Sequence, residues 1–91
     1  MMIPKVGPSV AWQIVEDEAI IVDLATGKTI GLNPTGTLLW SNIDGQRDAG
    51  ALAAALAGRF AVSPETAQSD TEEFLTEMTR RALIVDAEDA R

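Results

Sequence analysis

The chain changes from a strand pattern to a helix pattern within residues 29–34, which read Thr29-Ile30-Gly31-Leu32-Asn33-Pro34. The first four residues form a short, mostly apolar run, which is typical of a strand. Asn33 can accept hydrogen bonds from the free amides of a helix N-terminus, and the fixed φ of Pro34 suits the first helical position. This junction predicts strands before it and helices after it.

Two more strand patterns precede the junction. Apolar side chains alternate through residues 10–15, and residues 19–24 are rich in β-branched side chains. The polar segments 16–18 and 25–28 between the strands are too short for a crossover. We therefore expect the three strands to form an antiparallel meander.

Three helices are predicted after the junction, over residues 34–43, 49–60 and 64–83. The second carries apolar residues at spacings of three and four, which form one stripe along a helix. The third begins at Ser63-Pro64, and acidic residues occupy much of its outer side.

The order of these elements predicts an α+β fold, in which a three-stranded antiparallel β-meander is followed by three helices in a winged-helix-like arrangement. We expect one domain over residues 1–91, with a core from about 9 to 85. Residues 1–8 contain two prolines and a glycine and are predicted to be irregular, and residues 86–91 are predicted to fray. A short extended tail is expected at residues 84–85. By size and pattern, Trp12 and Trp40 are both assigned to the core.

Composition excludes several classes of function. The chain has 7 Lys and Arg against 14 Asp and Glu, and it contains no Cys and no His. A net charge of -7 repels nucleic acid and anionic lipid, and the absence of His and Cys removes the commonest catalytic bases, thiol nucleophiles and zinc ligands. We therefore expect no enzymatic activity, no cofactor, no metal and no nucleic-acid partner.

A membrane partner is not expected either. No apolar run approaches the roughly 18 residues that span a bilayer. Residues 1–10 lack the apolar segment of a secretory signal peptide, so the simplest prediction is a cytoplasmic protein.

The third predicted strand, residues 29–32, ends the meander and is therefore expected at a sheet edge. An edge strand presents unpaired N–H and C=O groups, to which an extended peptide can add as a further strand. Two alternatives remain open from the residues alone. One is a winged-helix DNA-binding regulator, and the other is a homodimer in which this edge is structural.

The sequence resembles the PqqD family, small proteins or domains that recognise the leader sequences of ribosomally made, post-translationally modified peptides. The resemblance covers about residues 9–85 and depends on the order and spacing of short motifs. These motifs are Gly31-Leu32-Asn33-Pro34-Thr35-Gly36, Leu39-Trp40, Asp44-Gly45, the Leu52, Leu56 and Phe60 helix, Asp70-Thr71-Glu72-Glu73-Phe74-Leu75 and Ala82-Leu83-Ile84.

Within that family, residues 22–28 leading into Gly31-Leu32-Asn33 are most similar to the stand-alone members from lasso-peptide clusters. Such a member holds the precursor's leader and presents it to a separate leader peptidase. Lasso-type members often have aromatic residues where this chain has Thr29-Ile30.

The resemblance implies that a leader peptide adds as a strand to the third predicted strand and packs against the third helix. The partners of this protein would be a precursor leader peptide and a maturation enzyme encoded nearby, either a leader peptidase or a radical enzyme. The protein itself would be a monomer or a homodimer. The implied peptide-binding residues are Lys28, Thr29, Ile30, Gly31 and Leu32 on the strand and Asp70, Glu73, Phe74, Glu77, Met78 and Arg81 on the helix.

Overall fold

Five strands and three helices make up residues 2–88, the part of the chain that the computed structural model describes. In chain order they are β1 (Pro4–Val6), β2 (Val10–Val15), β3 (Glu18–Asp23), β4 (Thr29–Gly31), α1 (Pro34–Ser41), α2 (Ala49–Arg59), α3 (Pro64–Arg80) and β5 (Ile84–Asp86). The predicted α+β fold, with a meander followed by three helices, is confirmed.

The meander is an antiparallel sheet in the order β2-β3-β4. Ile21 at its centre lies opposite Trp12 on β2 and opposite Ile30 on β4. The β2–β3 turn is tight because Glu16 and Asp17 both have positive φ values, 51° and 66°, which match the twist of a two-residue hairpin.

A second sheet, formed by β1 and β5, was not predicted. Pro4, Lys5 and Val6 pair antiparallel with residues 84–86, so the expectation of an irregular start is wrong at these positions. The extended tail expected at 84–85 is confirmed as part of β5. Asp86, predicted to fray, also belongs to β5, and residues 89–91 of that segment lie outside the described part of the chain.

Each helix begins where the sequence predicts it. The side chains of Asn33, Asp48 and Ser63 each accept a hydrogen bond from a backbone N–H in the first turn of α1, α2 and α3, respectively. The ends differ by a few residues. α3 stops at Arg80, before the predicted 83, because Ala82 adopts a positive φ of 58° that turns the chain towards β5.

The hydrophobic core lies between β3 and the helices. Trp40 and Ile21 are fully buried there, together with Leu52 and Leu56 of α2, which confirms the core assignment of Trp40. The assignment of Trp12 to the core is wrong, because its side chain is 41% exposed. β2 is an edge strand of the meander, and α1 packs on α2 and β3. The Trp12 ring therefore lies at the margin of the core, in a T-shaped contact with Trp40 at a centroid distance of 6.1 Å.

Thr37 of α1 fixes the helix to the sheet beside β4. Its buried Oγ1 accepts a hydrogen bond from the N–H of Ala19 at 2.8 Å and donates one to the carbonyl of Leu32 at 3.3 Å. Because one hydroxyl links β3 with the residue that follows β4, the position of the β4 edge relative to α1 is set by a buried contact.

Among residues 2–88, no helix has both the length and the apolar character needed to cross a membrane.

Candidate functional site

β4 is an edge strand in the described structure. Within residues 2–88 it pairs with β3 on one side and with no strand on the other. Hydrogen bonds from Leu32 N–H to Ala19 O and from Asp23 N–H to Lys28 O flank the β3–β4 pairing. In an antiparallel ladder, hydrogen-bonded pairs alternate with non-hydrogen-bonded pairs. Lys28, Ile30 and Leu32 therefore direct their paired backbone groups towards β3.

The same alternation directs the N–H and C=O groups of Thr29 and Gly31 to the open side of β4. Both residues are exposed. The side chain of Ile30 points to the helix face of the sheet, where it packs on the core beside its partner Ile21. The edge thus offers four backbone hydrogen-bonding groups next to an inward-facing apolar side chain.

A cavity of about 410 Å³ separates the start of β4 from the C-terminal end of α3, and we call it the basic cleft. Its floor is apolar, and three of its lining residues are cationic. The lining residues are Ile21, Asp23, Thr26, Lys28, Ile30, Arg80, Arg81 and Leu83.

A second cavity, of about 430 Å³, lies between the N-terminus of α1 and the middle of α3, and we call it the acidic cleft. Apolar side chains line its base, and three carboxylates of α3 line its side. The lining residues are Asn33, Thr35, Gly36, Leu39, Leu56, Asp70, Glu73, Phe74, Glu77 and Met78.

Gly36 lies directly against the cap of α1 at the acidic cleft. A Cβ at this position would lie 3.1 Å from the Oδ1 atom of Asn33 and 3.6 Å from the ring of Phe74. The first distance is tighter than an ordinary contact and the second is ordinary, so a side chain at this position would crowd the helix cap rather than the aromatic ring.

Glu77 links the two clefts through a small ion-pair cluster. Its Oε1 atom accepts hydrogen bonds from Arg80 Nη2 at 2.6 Å and from Arg81 Nε at 2.9 Å. Hydrogen bonds from Arg80 and then Arg81 lower the pKa of Glu77 to about 2 from its ordinary value of 4.5. Glu77 is therefore ionised at any physiological pH, and its charge is largely compensated by the two arginines.

The structure places the predicted binding residues in four settings. Lys28, Ile30 and Arg81 line the basic cleft, and Thr29 and Gly31 form the open edge. Leu32 is buried in the core and lines neither cleft. The remaining five line the acidic cleft, namely Asp70, Glu73, Phe74, Glu77 and Met78.

Several cleft residues were missed by the sequence reasoning. Arg80 was assigned to the C-terminal end of the helix only, and Asn33 was considered only as a cap, yet each lines a cleft. Asp23 and Leu83 also line the basic cleft. Asn33 and Arg80 directly adjoin predicted site residues in sequence, which is a usable signal. Asp23 and Leu83 have no such signal, because the sheet and the chain reversal after α3 bring them there.

The open edge and the two clefts suit the binding of an extended peptide. No group of three or more metal-ligating side chains is present in residues 2–88. The open edge can hydrogen-bond to an extended backbone, and the clefts can accept its alternate side chains.

Two solved structures share this fold. One, described as "TbiB1 in Complex with the TbiA(beta) Leader Peptide", is 24% identical with a TM-score of 0.81, over 88% of this chain and 93% of that chain. The other, "Lasso peptide synthetase B1 complexed with the leader peptide", is 16% identical with a TM-score of 0.81, over 91% of this chain and 98% of that chain. Comparison with curated proteins finds no match.

A protein-family model identifies the chain itself. The model, described as coenzyme PQQ synthesis protein D (PqqD), matches residues 18–84. The match begins at β3 and includes β4, the three helices and both clefts. It covers well over half of the 91 residues, so the chain belongs to the PqqD family.

Proposed function

We propose that this protein binds the leader region of a ribosomally synthesised precursor peptide, which adds as a strand to β4 beside α3. The observation that carries the proposal is the open edge at Thr29 and Gly31, whose outward-facing backbone groups lie next to the apolar floor of the basic cleft, to which Ile30 of β4 contributes. Family membership supports it, and both structural neighbours were solved as complexes with leader peptides.

In this proposal, backbone contacts and side-chain contacts have different roles in recognition. The N–H and C=O groups of Thr29 and Gly31 supply hydrogen bonds that any peptide sequence can make, and the clefts select side chains. Ile30 and Phe74 are half-buried and remain available to an inward-facing apolar residue, whereas Met78 is only 5% exposed and mainly supports them from the core.

The protein would catalyse no reaction and would act by presenting the leader to an enzyme. Holding the leader raises the effective concentration of the precursor at a maturation enzyme, which is a leader peptidase or a radical enzyme encoded nearby. Since precursors are made by the ribosome, we place this step in the cytoplasm. The two neighbours with TM-scores of 0.81 favour the stand-alone lasso-peptide type, in which the enzyme is a leader peptidase.

The proposal is tested by titrating the protein with the leader of a precursor encoded beside it. We expect saturable binding with a Kd of about 1 μM or tighter, because a pre-formed edge leaves only the peptide to be ordered. Thr29→Pro should abolish this binding and preserve the fold, because the Thr29 N–H faces the open side and not β3. Calorimetry measures the binding, and circular dichroism on the same samples measures whether the fold is preserved.

The matched control is Ile14→Pro on the opposite edge of the sheet. The hydrogen bond from Leu24 N–H to Ser9 O sets the alternation on β2, so the Ile14 N–H also faces outward. Ile14→Pro should leave leader binding unchanged. Equal loss of leader binding in both variants, or no loss of binding in Thr29→Pro, would count against β4 as the docking edge.

A further inference from the structure

The basic cleft at the start of β4 and the acidic cleft between α1 and α3 carry opposite charges. The basic cleft contains Lys28, Arg80 and Arg81 against Asp23, with Glu77 bonded to both arginines. Its local charge is positive although the chain as a whole carries -7. The acidic cleft is lined by three carboxylates and by no cation.

Besides Asp23, three of these charges have no ion-pair partner within residues 2–88. Lys28 at one end, and Asp70 and Glu73 at the other, form none of the salt bridges, whereas Glu77 is held by both arginines. All three side chains are exposed. A bound peptide can therefore pair with them without first breaking an internal contact.

The geometry of the β4 edge determines the order in which the residues of a bound peptide meet these charges. The sheet is antiparallel, and antiparallel pairing is slightly more stable per residue than parallel pairing. A peptide antiparallel to β4 starts near Leu32 and leaves near Lys28. Its residue opposite Ile30 faces the helices, as do the residues two before and two after it, because side chains alternate along a strand.

We propose that the site selects leaders by charge order, which rests on the proposed function and deepens it. The recognised segment carries a basic side chain, then an apolar one, then an acidic one, each two residues apart in the N-to-C direction. The basic side chain meets Asp70 and Glu73, the apolar one packs on Ile30 and Phe74, and the acidic one meets Lys28.

The test uses two synthetic peptides of about ten residues that differ only in order, one containing Lys-Thr-Leu-Thr-Glu and the other Glu-Thr-Leu-Thr-Lys in the same threonine-rich frame. Fluorescence anisotropy should show the first binding about five- to tenfold more tightly at low salt, and the difference should shrink at high salt. The double variant Lys28→Glu with Glu73→Lys should reverse the preference. Both substituted side chains are exposed, so the fold should be retained.

A control variant, Asp17→Lys with Arg59→Glu, reverses an exposed acid and base that line neither cleft and should keep the original preference. Equal binding of both peptides, abolished by Thr29→Pro, would overturn the charge-order proposal and leave the docking edge intact. Failure of both peptides and of the encoded leader to bind would overturn the proposed function as well. A preference for the swapped peptide would overturn the antiparallel direction.

Discussion

Glu77 shows how one residue organises the helix side of the candidate site. Its carboxylate receives hydrogen bonds from Arg80 and Arg81, which keep those long side chains at the rim of the basic cleft. All three side chains remain partly exposed, so solvent weakens the pairing and the cluster positions charge more than it stabilises the fold.

The lowered pKa of Glu77 predicts that the stability of the fold depends on pH. Its pKa in the folded protein is about 2 and its ordinary value is 4.5, so the interaction stabilises the fold at neutral pH and is lost as pH falls from 4.5 towards 2. Glu77→Gln should therefore lower the urea midpoint above about pH 5, and the difference from the natural protein should vanish near pH 2. Glu73→Gln is the control on the same helix, since Glu73 makes no ion pair in residues 2–88, and a difference that persists below pH 2 would contradict the assignment.

Asn33 and Trp12 mark what could and could not be predicted from single residues. Asn33 caps α1 as its sequence context predicts, since a cap depends only on neighbours within one turn. Trp12 alternates like a core residue, yet the helices do not extend over β2 and leave its side chain half-exposed. Alternation identifies the face of a strand that points to the helices, but not whether a helix covers it.

At the level of elements, local signals were sufficient for the meander and for the helix starts. The β1–β5 sheet was missed because its partners lie about 80 residues apart and each strand has only three residues, too short for a periodic pattern. The open edge of the site follows from the order of the strands. The separation of charge between the two clefts does not, because it depends on the tertiary packing that places α3 relative to α1 and β4.

The β1–β5 pairing should contribute measurably to stability. Hydrogen bonds from Gly7 N–H to Leu83 O and from Ala87 N–H to Ile3 O fix the alternation, so the Lys5 N–H faces Val85. Lys5→Pro removes that donor and should cost about 1–2 kcal/mol of unfolding free energy, whereas Lys5→Ala should stay within about 0.5 kcal/mol. Urea unfolding of both variants measures the difference, and equal midpoints would show that this pairing adds little.

For the whole molecule, the arrangement leaves the meander with two free edges in residues 2–88, at β2 and β4. If β4 accepts a leader, it cannot also be buried against a second copy. We therefore expect light scattering to give the mass of one chain, 9.7 kDa, without leader. A mass of two chains that leader does not lower would favour the homodimer alternative, in which the β4 edge is structural.

The most direct test of leader binding at β4 is amide hydrogen exchange, measured residue by residue by NMR with and without a saturating leader peptide. We expect exchange of the outward-facing amides of Thr29 and Gly31 to slow by about tenfold or more when the leader adds to β4, while exchange of the Trp12 and Ile14 amides on β2 does not change. Unchanged exchange at Thr29 and Gly31 under saturation, or protection at β2 instead, would contradict it.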